Sequence, residues 1–134
     1  MAEFLTDLIC REVSPEDWEL TNPLVYQRDD GTVIWVGAGF ITDFASVPKW
    51  LPVVYALLKN KGRKAAALHD KFYRQGGMSK EDADSLFLEA LHACKGLTDA
   101  ERHIMYYGVK MFGGFAYKGE RNGPVESGSV NIEP

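Results

Sequence analysis

The sequence predicts an α+β domain: a small antiparallel sheet, made of an N-terminal hairpin and a short further strand, packed against about four helices and followed by an extended C-terminal arm. Three observations carry that expectation. The first third holds short runs rich in β-branched and aromatic residues around an Asp-Gly turn. From residue 49 onward apolar residues recur at spacings of three and four, punctuated by capping residues and glycines. Residues 118–134 carry three glycines and two prolines and almost no apolar side chains, so they cannot build a core of their own. Strands first and helices afterwards is the order of a domain whose helices gather on a small antiparallel sheet. A single core organises roughly 100 to 200 residues. The 134-residue chain is therefore divided into one domain, 1–117, and an arm, 118–134.

Each element follows from local chemistry. Residues 18–27 (WELTNPLVYQ) and 32–36 (TVIWV) read as strands joined through Arg28-Asp29-Asp30-Gly31, where Gly31 supplies the positive φ that a tight hairpin needs. Gly37 and Gly39 interrupt the pattern, and residues 40–44 (FITDF) form a short further strand. Pro48 cannot donate to a sheet ladder but suits the first turn of a helix, with Ser46 or Val47 near the cap. A short apolar helix is expected over 49–59, broken at Lys61-Gly62. The next helix, 63–75, places Ala65, Leu68, His69, Phe72 and Tyr73 on one stripe and stops at Gly76-Gly77. Ser79 caps a third helix, with Glu81 and Asp82 over the positive end of its dipole. Its apolar face runs through Ala83, Leu86, Phe87, Ala90, Leu91 and Cys94. Thr98 and Glu101 form a capping box that opens a last helix through Met111, ended by Gly113-Gly114.

Composition narrows the function classes. Apolar residues make up 46% and charged residues 25% of the chain, the balance of a soluble globular protein. A formal charge of -4 gives no support to a nonspecific grip on phosphate backbones, so no nucleic-acid partner is expected. The longest apolar run, 50–58, is too short to cross a bilayer and the N-terminus has no leader-like pattern. No integral membrane contact is expected, and the protein is placed in the cytoplasm or in an assembly built there. Cys10 and Cys94 lack CxxC or Cys/His spacing and are read as reduced thiols. Gly37-Ala38-Gly39 lacks the third glycine and the following helix of a nucleotide loop.

The stretch His69-Asp70-Lys71-Phe72-Tyr73 is the most informative for chemistry. On a helix His69 and Tyr73 share a face while Asp70 points about 100° away, so one helix presents an imidazole beside a phenol with a carboxylate at their flank. That trio suits a general base with its orienting groups, and equally a half-buried histidine tied to a carboxylate elsewhere. Asp43 lies within an apolar segment, where an ionised carboxylate needs a partner or a local backbone cap at Ala45 and Ser46. Asp84 borders the apolar face of its helix, about 20° from Leu91 on a helical wheel, whereas Asp82 points outward. Convergence of Asp43, His69 and Asp84 would make either a buried polar network or a mixed oxygen and nitrogen site for a divalent metal ion. His92 and His103 are expected in solvent.

Taken together, GFITDFASVPKW, AAALHDKFYR, SKEDADSLFLEAL and the closing MYYGVKMFG resemble a family of tailed phages and prophages, the domain of unknown function thirteen-fifty-three. The resemblance runs over about residues 34–114, and Asp43, Ser46, Pro48, His69, Asp70, Tyr73 and Asp84 occupy its pattern. It implies a phage setting and brings no established activity. Two readings follow. In the first the protein is a virion-associated structural or assembly protein of a tail or baseplate, made in the host cytoplasm. It carries a buried His/Asp cluster, and its arm contacts other phage structural proteins. In the alternative it is a small hydrolase acting on lipid or cell-wall material. His69, Asp70 and Tyr73 would then be catalytic, and Asp43, His69 and Asp84 would hold a divalent ion.

Overall fold

A computed structural model describes residues 2–15, 17–44 and 52–112. The arm at 118–134, the Gly113-Gly114 stop and the expected cap around Ser46 to Pro48 lie outside the described residues. The domain is α+β, with two small antiparallel sheets where the sequence reading has one. Strand β1 (Glu3–Phe4), β4 (Leu24–Gln27) and β5 (Val33–Val36) form a sheet in the order β1-β4-β5. The second sheet holds β2 (Cys10–Glu12), β3 (Trp18–Leu20) and β6 (Ile41–Thr42) in the order β2-β3-β6.

The single strand expected over 18–27 is thus two strands in different sheets. Pro23, which cannot donate to a ladder, sits in the break, and Thr21 N–H donates to Ile9 O at 2.9 Å as the chain turns away. The hairpin is where the turn chemistry puts it. Leu24 pairs with Val36 and Gln27 with Val33, and Gly31 has a φ of 90°. The Asp30 carboxylate accepts from Thr32 N–H at 2.8 Å, closing the loop. The sequence reading starts its strands at residue 18; β1 and β2 precede that point. They are edge strands whose residues alternate between exposed and half-buried over 3–10, a weak pattern in so short a run.

Four helices follow: α1 (Pro52–Asn60), α2 (Arg63–Gln75), α3 (Lys80–Ala93) and α4 (Asp99–Phe112). Their bounds reflect their caps. Asp82 N–H donates to Ser79 Oγ at 3.1 Å at the start of α3. At α4 the Thr98 and Glu101 bonds are reciprocal, at 3.0 and 3.1 Å. Gly76 and Gly77 take positive φ after α2. Helix α2 is the centre of the molecule, packed on α1, α3 and β6. Ala65, Ala66 and Ala67 let its neighbours approach closely, while Leu68, Phe72 and Tyr73 fill the core with Leu20, Leu24, Tyr26, Ile34, Leu86 and Phe87.

Candidate functional site

Because α2 is buried on several sides, its adjacent polar residues His69 and Asp70 are drawn into two different environments. Both are nearly sealed, at 2% and 3% exposure. Successive helical residues diverge by about 100°, so His69 turns to α3 and Asp70 to β6.

On the α3 side, His69 Nε2 lies 2.9 Å from Asp84 Oδ1, and the Tyr73 hydroxyl donates to that same oxygen at 2.5 Å. Lys80, one turn before Asp84, donates to its Oδ2 at 2.8 Å and to Lys110 O at 3.1 Å, so the cluster ties α2, α3 and α4 together. The imidazole is flanked by the rings of Tyr73 and Phe87, with centroids at 3.9 and 4.9 Å. Burial lowers the His69 pKa in spite of the Asp84 carboxylate, which keeps the ring neutral at pH 7. Burial would raise Asp84, but the hydrogen bonds from His69, Lys80 and Tyr73 outweigh it and hold the carboxyl below its usual range. A neutral imidazole donating through Nε2 to an ionised Asp84, balanced by the Lys80 ammonium, satisfies every one of these directions.

On the β6 side, Thr42 Oγ1 donates to Asp70 Oδ2 at 2.8 Å and Arg74 Nε to Asp70 Oδ1 at 3.1 Å. Arg74 Nη2 also lies 3.3 Å from Asp43 Oδ2. Burial, aided by the neighbouring Asp43 carboxylate and opposed by Arg74 and Thr42, raises the Asp70 pKa to about 6. Phe44, beside Asp43, has a φ of 62°, a conformation costly for a residue with a bulky side chain. It is held there from several sides. Phe44 N–H donates to Thr42 Oγ1 at 3.1 Å, Lys59 Nζ donates to Asp43 O at 2.6 Å, and Arg63 lies over the buried ring at 4.9 Å.

His69 and Tyr73 therefore share a face as the helical spacing implies, Asp84 reaches inward to both, and Asp70 stands apart from them. Asp43 is not part of that group. It meets Asp70 and Arg74, because β6 packs against the opposite flank of α2. The ligand trio Asp43, His69 and Asp84 is not assembled, and among the described residues no three His, Cys, Asp or Glu side chains gather to hold a metal ion. His92 and His103 are exposed as expected. Four participants escape the sequence reading. Lys80 and Arg74 each sit four residues from their acid on a helix, a spacing that signals an ion pair. Thr42 and the backward turn at Phe44 leave no local trace. Two clefts of about 830 and 480 Å³ open elsewhere, and neither is lined by His69, Asp70, Tyr73 or Asp84.

Fold and cluster define an α+β domain whose central helix carries a buried imidazole–carboxylate pair. The chain belongs to the family described as Protein of unknown function (DUF1353), whose profile matches residues 18–109, from β3 into α4. No curated protein and no solved structure matches it.

Proposed function

We propose that this protein is a structural or assembly component of a tailed-phage particle, in the tail or baseplate, and that the His69–Asp84 cluster is a lock between helices. The observation that carries the lock is closure. Asp84, at 4% exposure, spends both oxygens on His69, Tyr73 and Lys80, and rings flank the imidazole. A general base needs a lone pair within reach of substrate; with Nε2 donating to Asp84 that lone pair is on Nδ1, and at 2% exposure the residue offers a substrate almost no surface. The phage setting is what the motif resemblance implies; the family description itself assigns no role. In this reading residues 118–134 contact other structural proteins of the particle.

Limited proteolysis of the isolated protein and of purified particles tests the placement. Cleavage within 118–134 is expected in the isolated protein and protection in particles; equal cleavage in both, or no copy in particles, overturns it. The lock is tested by His69→Ala, which removes one of the three donors to the buried Asp84 and opens a cavity. A loss of about 2–5 kcal/mol in urea unfolding is expected, and a change below about 1 kcal/mol would sink the idea.

One observation favours the hydrolase as a second reading, and it shifts the chemistry from His69 to Asp70. A carboxyl with a pKa raised to about 6, next to the half-buried Asp43 and Arg74 and a strained Phe44, has the proton affinity of an acid–base group, and at 3% exposure it requires β6 to move before a substrate reaches it. Asp70→Asn would then abolish release of lipid or cell-wall fragments by purified protein without unfolding it. Absence of that activity in the parent removes this reading.

A further inference from the structure

The packing of α1 on α4 leaves one apolar face uncovered. Among the described residues seven large apolar side chains stand exposed, and four of them lie on these two helices: Val53, Ile104, Tyr107 and Met111. We propose that this face is a self-association surface, on which two copies of the chain pair through antiparallel α4 helices. The inference goes beyond the placement in a particle and does not depend on it.

The stripe has the spacing of a helix–helix seam. Ala100, Ile104, Tyr107 and Met111 are exposed and stand four, three and four residues apart, the alternation that keeps one line of a helix against a partner helix. The inward side of α4 is already used. Met105 and Val109 are buried in the core, and Gly108 packs on Val54. The outward stripe is thus a second apolar line on a helix that needs only one to dock on its own core. Helix α1 widens it. Lys61 bonds Glu101 at 2.9 Å and Val54 meets Gly108, so α1 runs antiparallel beside α4, and Val53, within about 80° of Lys61 on the helical wheel, borders the Met111 end. Tyr107 is held in place, its ring edge-on to Tyr106 at 5.1 Å between centroids and stacked on His103 at 6.1 Å. An aromatic positioned in advance loses little freedom on being covered.

A second copy of the same chain is the occupant that fits. About a two-fold axis between Met105 and Tyr106, antiparallel pairing sets Ala100 opposite Met111 of the other copy and Ile104 opposite Tyr107, so the shortest side chain of the stripe receives the longest. The charges agree with that direction. Helix α4 has Asp99 and Glu101 in its first turn and Lys110 in its last. Asp99, His103 and Lys110 share one flank of the stripe, and the two-fold lays that flank against its own reverse, bringing Asp99 beside Lys110 twice. Asp99 is exposed and bonds Arg102; Lys110 Nζ lies over the Tyr106 ring at 5.6 Å and has no carboxylate partner among the described residues. Parallel pairing would instead gather two acidic starts, two basic ends and two aligned dipoles. The 14 residues of α4 span about 21 Å, which puts the contact at the small end of specific interfaces and its dissociation constant in the micromolar range.

Sedimentation equilibrium of the full chain from about 1 µM to about 1 mM tests the proposal. A reversible passage from one chain mass to two is expected. Ile104→Glu and Met111→Glu alter exposed positions and are expected to weaken association at least about tenfold with the circular dichroism spectrum unchanged. Asp99→Lys and Lys110→Asp should each weaken it several-fold, and an equimolar mixture of these two variants should restore it, because each supplies the charge the other has lost. A single chain mass at every concentration overturns the proposal, whatever else covers the face. So does a dimer indifferent to both glutamate substitutions, which would place the contact elsewhere, and so do charge reversals without effect, which would remove the antiparallel arrangement.

Discussion

Two equally buried carboxylates, Asp70 on α2 and Asp84 on α3, show how far their neighbours alone separate chemically identical groups. Asp84 is pulled below the usual carboxylate range by three donors, while Asp70, with Asp43 beside it, is pushed up to about 6. The Asp70 shift has a definite sign in stability. Between the ordinary carboxyl value of 3.8 and about 6, the folded state holds a proton that the unfolded chain has lost. Asp70 therefore contributes stability below that window, and the contribution is lost as pH rises through it. Asp70→Asn removes this dependence. Urea unfolding at several pH values between about 4 and 7 should show wild type losing about 3 kcal/mol relative to the variant; a difference independent of pH would contradict the assignment. His69 acts in the opposite sense. Its lowered pKa gives stability that is present above the unfolded value of 6.5 and lost as pH falls below it. The shared face of His69 and Tyr73 and the inward turn of Asp84 are legible in the sequence because helical periodicity fixes which face each occupies; that Asp84 meets both comes from the packing of α3 on α2. The sequence misplaces Asp43, since a residue at the end of a two-residue strand has no periodicity to read.

At the scale of elements, the helices are the most legible part, because their ends are fixed by short-range bonds. The Ser79 cap and the Thr98–Glu101 box form as the sequence implies, and 63–75 is helical over its expected length. What caps do not reveal is how helices approach one another. Gly108, inside α4, faces Val54 of α1 so closely that an added Cβ would meet Val54 Cγ1 at 2.8 Å and Cγ2 at 2.9 Å. Alanine is the better helix former by about 1 kcal/mol, so helix propensity alone makes Gly108→Ala stabilising. Val54 is β-branched and stiff, and overpacking costs about 1–3 kcal/mol. The expected result is a net destabilisation, partly recovered when Val54→Ala is added, giving a favourable coupling energy in a double-mutant cycle. Simple additivity would show that the two helices yield without strain.

For the whole molecule, the stacking order around α2 sets where opening begins. Residues 65–70, 72 and 73 are buried, whereas β1 and β2 are edge strands of two and three residues. Hydrogen exchange is expected to give central α2 amides the full global unfolding free energy and amides of residues 3–12 a much lower one. Uniform protection across both would overturn that hierarchy. The α+β class, the hairpin, the helix bounds and the inward turn of His69 and Asp84 were determined by sequence alone, because each depends on residues a few positions apart. The division into two sheets, the pairing of Asp43 with Arg74, the bond from Thr42 to Asp70 and the backward turn at Phe44 were decided only by tertiary structure. Periodicity specifies the face on which a side chain stands, and the packing of distant elements against that face selects its partner.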